Sequence, residues 1–134
     1  MKYIKSCLII TMLLGVGYSQ ECDPDADVGY NCDCNEDTWQ AYYNSEGRNM
    51  QGCWLYGANL SEAGLMDADL SWANLTGANL TGAVLAGANL EGAELLQATL
   101  RYVKSGGIIG EPASLPAGWS LKDGVLIFKD IEQE

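Results

Sequence analysis

Leucine recurs at every fifth position through the middle of this chain. From Cys53 to Tyr102 the ten successive units are CWLYG, ANLSE, AGLMD, ADLSW, ANLTG, ANLTG, AVLAG, ANLEG, AELLQ and ATLRY. An α-helix has a period of 3.6 and a strand a period of two, so neither explains a strict period of five. Alanine stands two residues before each leucine, except where Cys53 takes its place. The pattern predicts small identical units that stack and bury one continuous core.

The register of these units resembles that of the pentapeptide-repeat family, whose units follow the pattern A-(N/D)-L-x-x. The match runs without a gap over 50 of the 134 residues, and Arg48–Gly52 is interpreted as a degenerate eleventh unit with Met50 at the leucine position. The resemblance implies an all-β fold, a right-handed, four-sided parallel β-helix of about two and a half coils. It also implies that the repeat leucines point into the axis of the column. These are Leu55, Leu60, Leu65, Leu70, Leu75, Leu80, Leu85, Leu90, Leu95 and Leu100.

Both ends of such a short column must be covered for it to remain a single folded unit. An open end of a β-helix exposes leucines and unpaired backbone groups, which can template association with another chain. The flanking segments are therefore expected to act as caps. Where a cap is incomplete, coil ends would stack on one another, so self-association through the ends remains an open alternative.

The first 19 residues have the pattern of a secretory signal peptide. Lys2 and Lys5 precede an apolar run from Cys7 to Val16, and small residues follow up to Ser19. The run is shorter than the roughly 20 apolar residues that span a bilayer. We therefore expect a secreted or periplasmic protein with no membrane attachment after cleavage; the alternative is a retained N-terminal anchor.

The net charge of the chain indicates which classes of partner it repels. The formal net charge is −11, and removal of the signal segment takes away two lysines and no acid. Eight of the acids lie between Glu21 and Glu46, where there is no basic residue. Such a chain repels nucleic acid and anionic membranes, so neither is an expected partner.

Four cysteines remain once Cys7 is removed with the signal segment. An even number in a secreted chain favours disulfides, and a Cys32–Cys34 bridge would close a very tight ring. We therefore expect one of these two to pair with Cys22 and the other with Cys53. The alternative for Cys53 is a small, buried, unbonded side chain.

The acidic N-terminal segment also suggests a calcium site. Alternating oxygen ligands on a turn-rich loop can surround one hard cation, although Gly29 comes one residue late and Cys34 stands where a calcium loop has Glu. The competing interpretation is a solvated acidic loop held by disulfides. The candidate ligands are Asp23, Asp25, Asp27, Asn31 and Asp33.

The sequence after the repeats predicts a β-hairpin. Asp123-Gly124 is a favoured two-residue turn, which would pair Leu121 with Leu126 and bring the residues on either side of them together. One face of this hairpin would cover the last coil. The stretch PASLPAGWSLKDGVLI also resembles a segment that follows or separates repeat blocks in many pentapeptide-repeat proteins.

The chain is thus expected to have four segments. They are a signal peptide at 1–19, an acidic cysteine-containing segment at 20–47, the repeat column at 48–102, and a capping hairpin with its tail at 103–134.

The side chains available argue against an enzyme. There is no histidine, which removes the commonest general base and the Ser-His and Cys-His nucleophile pairs. The repeat carboxylates are scattered, and an axis packed with leucine leaves no cavity for a substrate. No cofactor other than calcium is expected.

The outward-facing aromatic residues predict an interaction surface instead. Stacking by 20 residues places Trp54, Tyr56 and Leu96 on one side of the column, with Trp72 on a neighbouring side. Aromatic side chains on a rigid polar face are typical of recognition surfaces. The alternative is that the N-terminal segment folds back and covers this patch with Trp39, Tyr42 and Tyr43.

These features favour a secreted, non-enzymatic module that presents a rigid surface to a protein or surface ligand, with calcium-dependent adhesion or assembly as the alternative. A third hypothesis comes from the family members that mimic DNA and protect gyrase. Those proteins are longer, dimeric and cytoplasmic, and their acidic face runs along the column, whereas these repeats carry few acids. A shared fold does not transfer that function.

Overall fold

A computed structural model describes residues 30–129 of the chain. Its regular elements are a helix α1 at Trp39–Tyr43, a 3₁₀ turn at Glu46–Arg48, and two strands, β1 at Trp119–Lys122 and β2 at Val125–Phe128. Between the 3₁₀ turn and β1 the backbone is organised by single-residue parallel bridges rather than by longer strands.

The bridges show how the five-residue units stack. Trp54 pairs with Asn74, Asn74 with Glu94, and Glu94 with Ser114, all in parallel. The backbone hydrogen bonds follow the same step, because the N–H of Leu55 donates to the carbonyl of Asn74 at 2.9 Å. Each unit therefore lies on the unit four repeats earlier, and the repeat block forms a parallel β-helix.

Each unit also contains a tight turn that follows its leucine. The N–H of Ala58 donates to the carbonyl of Leu55 at 3.1 Å, which closes a four-residue turn. The third residue of that turn, Gly57, has a φ of 64°, the left-handed conformation that a type II turn requires there. Five units of the repeat place a residue other than glycine at this position with a φ of 58° to 60°: Glu62, Asp67, Trp72, Gln97 and Tyr102.

The bulky turn residues depend on glycine in the coil above them. A Cβ on Gly92 would lie 2.3 Å from Cε3 of Trp72, and one on Gly82 would lie 2.3 Å from Oε1 of Glu62. A Cβ on Gly57 would meet nothing within 4 Å. Some of these glycines therefore provide space for a side chain of the coil below as well as the turn conformation.

The axis of the column is apolar and closed to solvent. All ten repeat leucines are at most 1 % exposed, and Met50 is fully buried at the leucine position of the degenerate unit. Small side chains fill the remaining inward positions, with Ala58, Ala78 and Ala98 between 0 % and 5 % exposed. This packing is what the leucine period predicts.

The C-terminal hairpin covers one end of the column. Its observed pairs, Trp119 with Phe128 and Leu121 with Leu126, are those predicted from the sequence. The coil pairing itself continues past the last clear repeat, as far as Ser114. Leu126 is buried, and the Trp119 and Leu121 side chains pack against the core.

Residues 30–48, hereafter the N-terminal cap, cover the other end. The N–H of Trp54 donates to the carbonyl of Cys34 at 2.8 Å, and the N–H of Asn59 donates to the Glu36 carboxylate at 3.1 Å. The apolar contacts come from partly buried aromatic side chains that pack against the core, namely Trp39, Tyr42 and Tyr43.

Candidate interaction surface

The predicted recognition residues lie on the outside of the column. Trp54 and Tyr56 stack on each other with ring centroids 6.0 Å apart and an interplanar angle of 20°. Trp54 is half-buried, whereas Tyr56, Leu96 and Trp72 are 37 %, 52 % and 56 % exposed. Successive side chains of an extended backbone point in opposite directions. Trp54, Tyr56 and Leu96 therefore project outward, while the leucines next to them in sequence point inward.

Tyr30 partly covers this surface. Its ring meets Trp54 edge-on at a centroid distance of 5.0 Å, and its hydroxyl bonds to the Glu94 carboxylate. Since Trp54, Asn74 and Glu94 form one ladder, Tyr30 lies across Asn74, which is only 5 % exposed. Burial, followed by the hydrogen bond and the negative charge of Glu94, raises the pKa of Tyr30 to about 12.

The aromatic residues of the alternative prediction, which would cover Trp54 from the N-terminal segment, pack against the buried core. They are Trp39, Tyr42 and Tyr43. The Tyr43 hydroxyl donates to the carbonyl of Met66 at 3.1 Å, and the Arg48 guanidinium lies 4.8 Å from the centre of the Tyr43 ring. One sequence signal points to Tyr30 instead, since it is the only aromatic residue between Gln20 and Trp39.

Leu96 and Trp72 extend the surface without joining the aromatic stack. Thr76 lies between Tyr56 and Leu96 in the ladder, so the backbones of these two residues are about 10 Å apart at the usual strand spacing. Trp72 occupies a turn position with a φ of 60° and lies over Gly92. We call the set of Tyr30, Trp54, Tyr56, Trp72 and Leu96 the Trp54 face.

A disulfide joins the cap to the column beside this face. Cys34 and Cys53 are bonded with a Cα–Cα distance of 4.8 Å, and both are fully buried. Cys32 is also disulfide-bonded. Cys22, the fourth cysteine of the predicted pairing, lies outside the described residues.

Most of the predicted calcium ligands lie outside the described residues as well. Of the five, only Asn31 and Asp33 are described, and the side-chain oxygen of Asn31 accepts the N–H of Asp33 at 3.2 Å. Within residues 30–129, no group of three or more His, Cys, Asp or Glu side chains is arranged to hold a metal ion. The calcium site therefore stays a prediction.

None of the helices between residues 30 and 129 has the length and apolar character needed to cross a bilayer.

The class of protein follows from the stacked units and the closed leucine axis: this is a β-helical repeat solenoid. The sequence profile of the pentapeptide repeats matches residues 49–82 and 78–104, with eight copies. The repeat block of this chain is therefore similar to the pentapeptide repeats over residues 49–104.

Solved structures of related sequence exist. One is the crystal structure of a pentapeptide repeat protein (Rfr23) from the cyanobacterium Cyanothece 51142. It is 36 % identical over 47 % of this chain and 44 % of its own length, with a TM-score of 0.45. The similarity thus spans less than half of either protein. A comparison with curated proteins gave no significant match.

Proposed function

We propose that this protein is a secreted, non-catalytic binding module in which a rigid four-sided column presents the Trp54 face to a protein or surface ligand. The observation that carries the proposal is the stacked pair of Trp54 and Tyr56, held on a unit whose backbone is hydrogen-bonded to the next coil. Exposed aromatic side chains on a fixed backbone lose little conformational entropy on binding, which is why such residues dominate recognition surfaces.

The surroundings of the stacked pair support recognition rather than catalysis. The face combines aromatic rings with the neutral polar side chain of Thr76, and Glu94 is engaged by the Tyr30 hydroxyl. These groups offer apolar contact area with hydrogen-bonding groups beside it. That combination suits a partner with its own flat apolar surface and a polar margin.

Export is the second element of the proposal and rests on the N-terminal sequence. The basic start, the short apolar run and the small residues before Gln20 support a cleaved signal peptide. The buried Cys34–Cys53 bond is consistent with an oxidising compartment. Calcium-dependent assembly remains the alternative proposal, supported by the spacing of the acidic residues before Cys32.

Site-specific photo-crosslinking tests the binding face. A photoreactive residue is placed either at Leu96, on the Trp54 face, or at Met66, which is 47 % exposed on another side of the column. The proposal predicts that extracellular material from the source crosslinks at position 96 and not at position 66. Excess wild-type protein should compete for this adduct, whereas a Tyr56→Ala variant should compete poorly. Equal crosslinking at both positions would contradict a specific face.

A further inference from the structure

The N-terminal end of the column is closed by a segment with little structure of its own. Helix α1 has five residues and none of them is fully buried. The cap nevertheless keeps Leu55, Leu60 and Leu65 at no more than 1 % exposure, although no coil of the column precedes them. The cap therefore owes its position to its contacts with the column rather than to a core of its own.

The same cap occupies the backbone groups at the edge of the first coil. It accepts the N–H groups of Trp54, Asn59 and Asp69, and it donates to the carbonyls of Gly52 and Met66. Without the cap, this end would present these three donors and two acceptors around an exposed apolar centre. Edges of this kind pair readily with another backbone.

The Cys34–Cys53 bond is the disulfide that ties the cap to the column within residues 30–129. Cys53 stands at the inward small position that alanine occupies in the other nine repeat units. Loss of the bond would leave the cap attached by the peptide chain, by a few hydrogen bonds and by the contacts of its aromatic side chains. A short segment held in this way opens locally while the column remains folded.

We propose that the N-terminal cap is a redox-sensitive cover, and that reduction of Cys34–Cys53 turns the protein into a twofold dimer joined through its N-terminal column ends. A dithiol reductant supplies two electrons and two protons, so that the sulfur–sulfur bond breaks, both sulfurs become thiols, and the reductant becomes a disulfide. The partner at the exposed end is a second copy of this chain.

The geometry favours this partner because the exposed end is complementary to itself. It carries donors at Trp54 and Asn59 and acceptors at Gly52 and Met66, so two copies related by a twofold axis can satisfy each other. The opposite end stays covered by the hairpin, with Leu126 buried against the core. Association therefore stops at two copies and does not continue into filaments.

Sedimentation velocity tests the proposal on the purified oxidised chain at several concentrations, with and without a dithiol reductant. The expected result is a monomer when oxidised and a species of twice the mass when reduced, with an unchanged far-ultraviolet circular dichroism spectrum. A Cys34→Ala/Cys53→Ala variant should dimerise without reductant. A Leu96→Ala variant, which alters the Trp54 face, should behave like the wild type in both conditions.

Three results would overturn the proposal. A reduced chain that stays monomeric would show that the cap remains closed or that the exposed end does not pair. Species that grow beyond two copies with concentration would show that the hairpin end also takes part. Loss of the β-helix spectrum on reduction would show that the column cannot stand without its cap. The binding proposal for the Trp54 face is separate, because crosslinking at position 96 is measured on the oxidised monomer.

Discussion

The repeat column and the N-terminal cap stabilise the same core in opposite ways. In the column, every unit repeats the same buried leucine and the same turn, and all units except the last repeat the same hydrogen bond to the coil that follows. The cap has no repeat, and it is held by individual contacts such as Tyr30 on Trp54, Tyr43 on Met66 and the Cys34–Cys53 bond.

This difference determines how a substitution in each region affects stability. A change at one column position is felt by the coils on both sides of it, because the ladders are continuous. A change in the cap removes one contact and leaves the rest of the column intact. The following variants probe that contrast, beginning with the largest expected effect.

A charge in the leucine ladder should damage the column most. Leu75 is fully buried between Leu55 and Leu95, so Leu75→Asp buries a carboxylate with no partner and should cost about 3 kcal/mol or more in the free energy of unfolding. Thermal and urea unfolding followed by circular dichroism measure this loss. Thr76→Asp, one residue further on and facing outward, is the control and should change stability little. Similar losses for both would contradict an inward ladder.

Adding a methyl group at a turn glycine should lower the free energy of unfolding by less than Leu75→Asp does. The size of this loss should depend on the side chain that the preceding coil places beside the glycine. Gly92→Ala and Gly57→Ala both place a Cβ at a positive φ, which costs about 1 kcal/mol or somewhat more. Only at Gly92 would that Cβ also collide with the ring of Trp72. Urea unfolding should therefore show a larger loss for Gly92→Ala.

A double-mutant cycle checks the cause of that difference. In a Trp72→Ala background, Gly92→Ala should cost no more than Gly57→Ala does in the wild type, because the colliding ring is gone. An excess that persists without Trp72 would contradict the proposed contact between the two coils.

The contact between cap and column predicts a pH dependence. The pKa of Tyr30 is raised from its ordinary value of 10.0 to about 12 in the folded protein, so the unfolded chain loses this proton first as the pH rises. The contribution of Tyr30 to stability is therefore complete below pH 10 and declines above it. Melting temperatures between pH 9 and 11 should fall more steeply for the wild type than for Tyr30→Phe. Tyr102→Phe, at a residue 72 % exposed, is the control and should follow the wild type.

The calcium proposal predicts the smallest effect. Calcium bound to the acidic segment should raise the melting temperature of the oxidised chain or change its assembly state, and a chelator should reverse the change. An Asp23→Asn/Asp25→Asn variant should not respond. A wild-type chain with the same melting temperature and sedimentation in calcium and in chelator would rule the site out.

Much of the column could be predicted because its pattern is periodic. The resemblance of the five-residue units to pentapeptide repeats implied stacking by 20 residues, and the Trp54–Asn74–Glu94 ladder has this step. The hairpin was equally accessible, since Asp123-Gly124 determines the register of its strands and the observed φ values of 50° and 74° fit that turn.

The cap could not be predicted in the same way. Its sequence has no period, so the choice between Tyr30 and the later aromatics as the cover of Trp54 depended on contacts distant in sequence. Tyr30 reaches Glu94, 64 positions away, while Tyr43 contacts Met66 at the column end. The continuation of the pairing to Ser114 was also hidden, because Ser105 and Gly110 replace the leucine in the two units that follow Tyr102.

Native-state hydrogen exchange of the oxidised chain in low denaturant tests most directly whether column and cap are separate cooperative units. We predict that the amides of Leu75 and Leu80, in the middle of the column, exchange only by global unfolding. The amides of Trp54 and Asn59, which bond to the cap, should open at a clearly lower free energy. Equal opening free energies for the two groups would show that cap and column unfold together, and would contradict a cap that opens on its own.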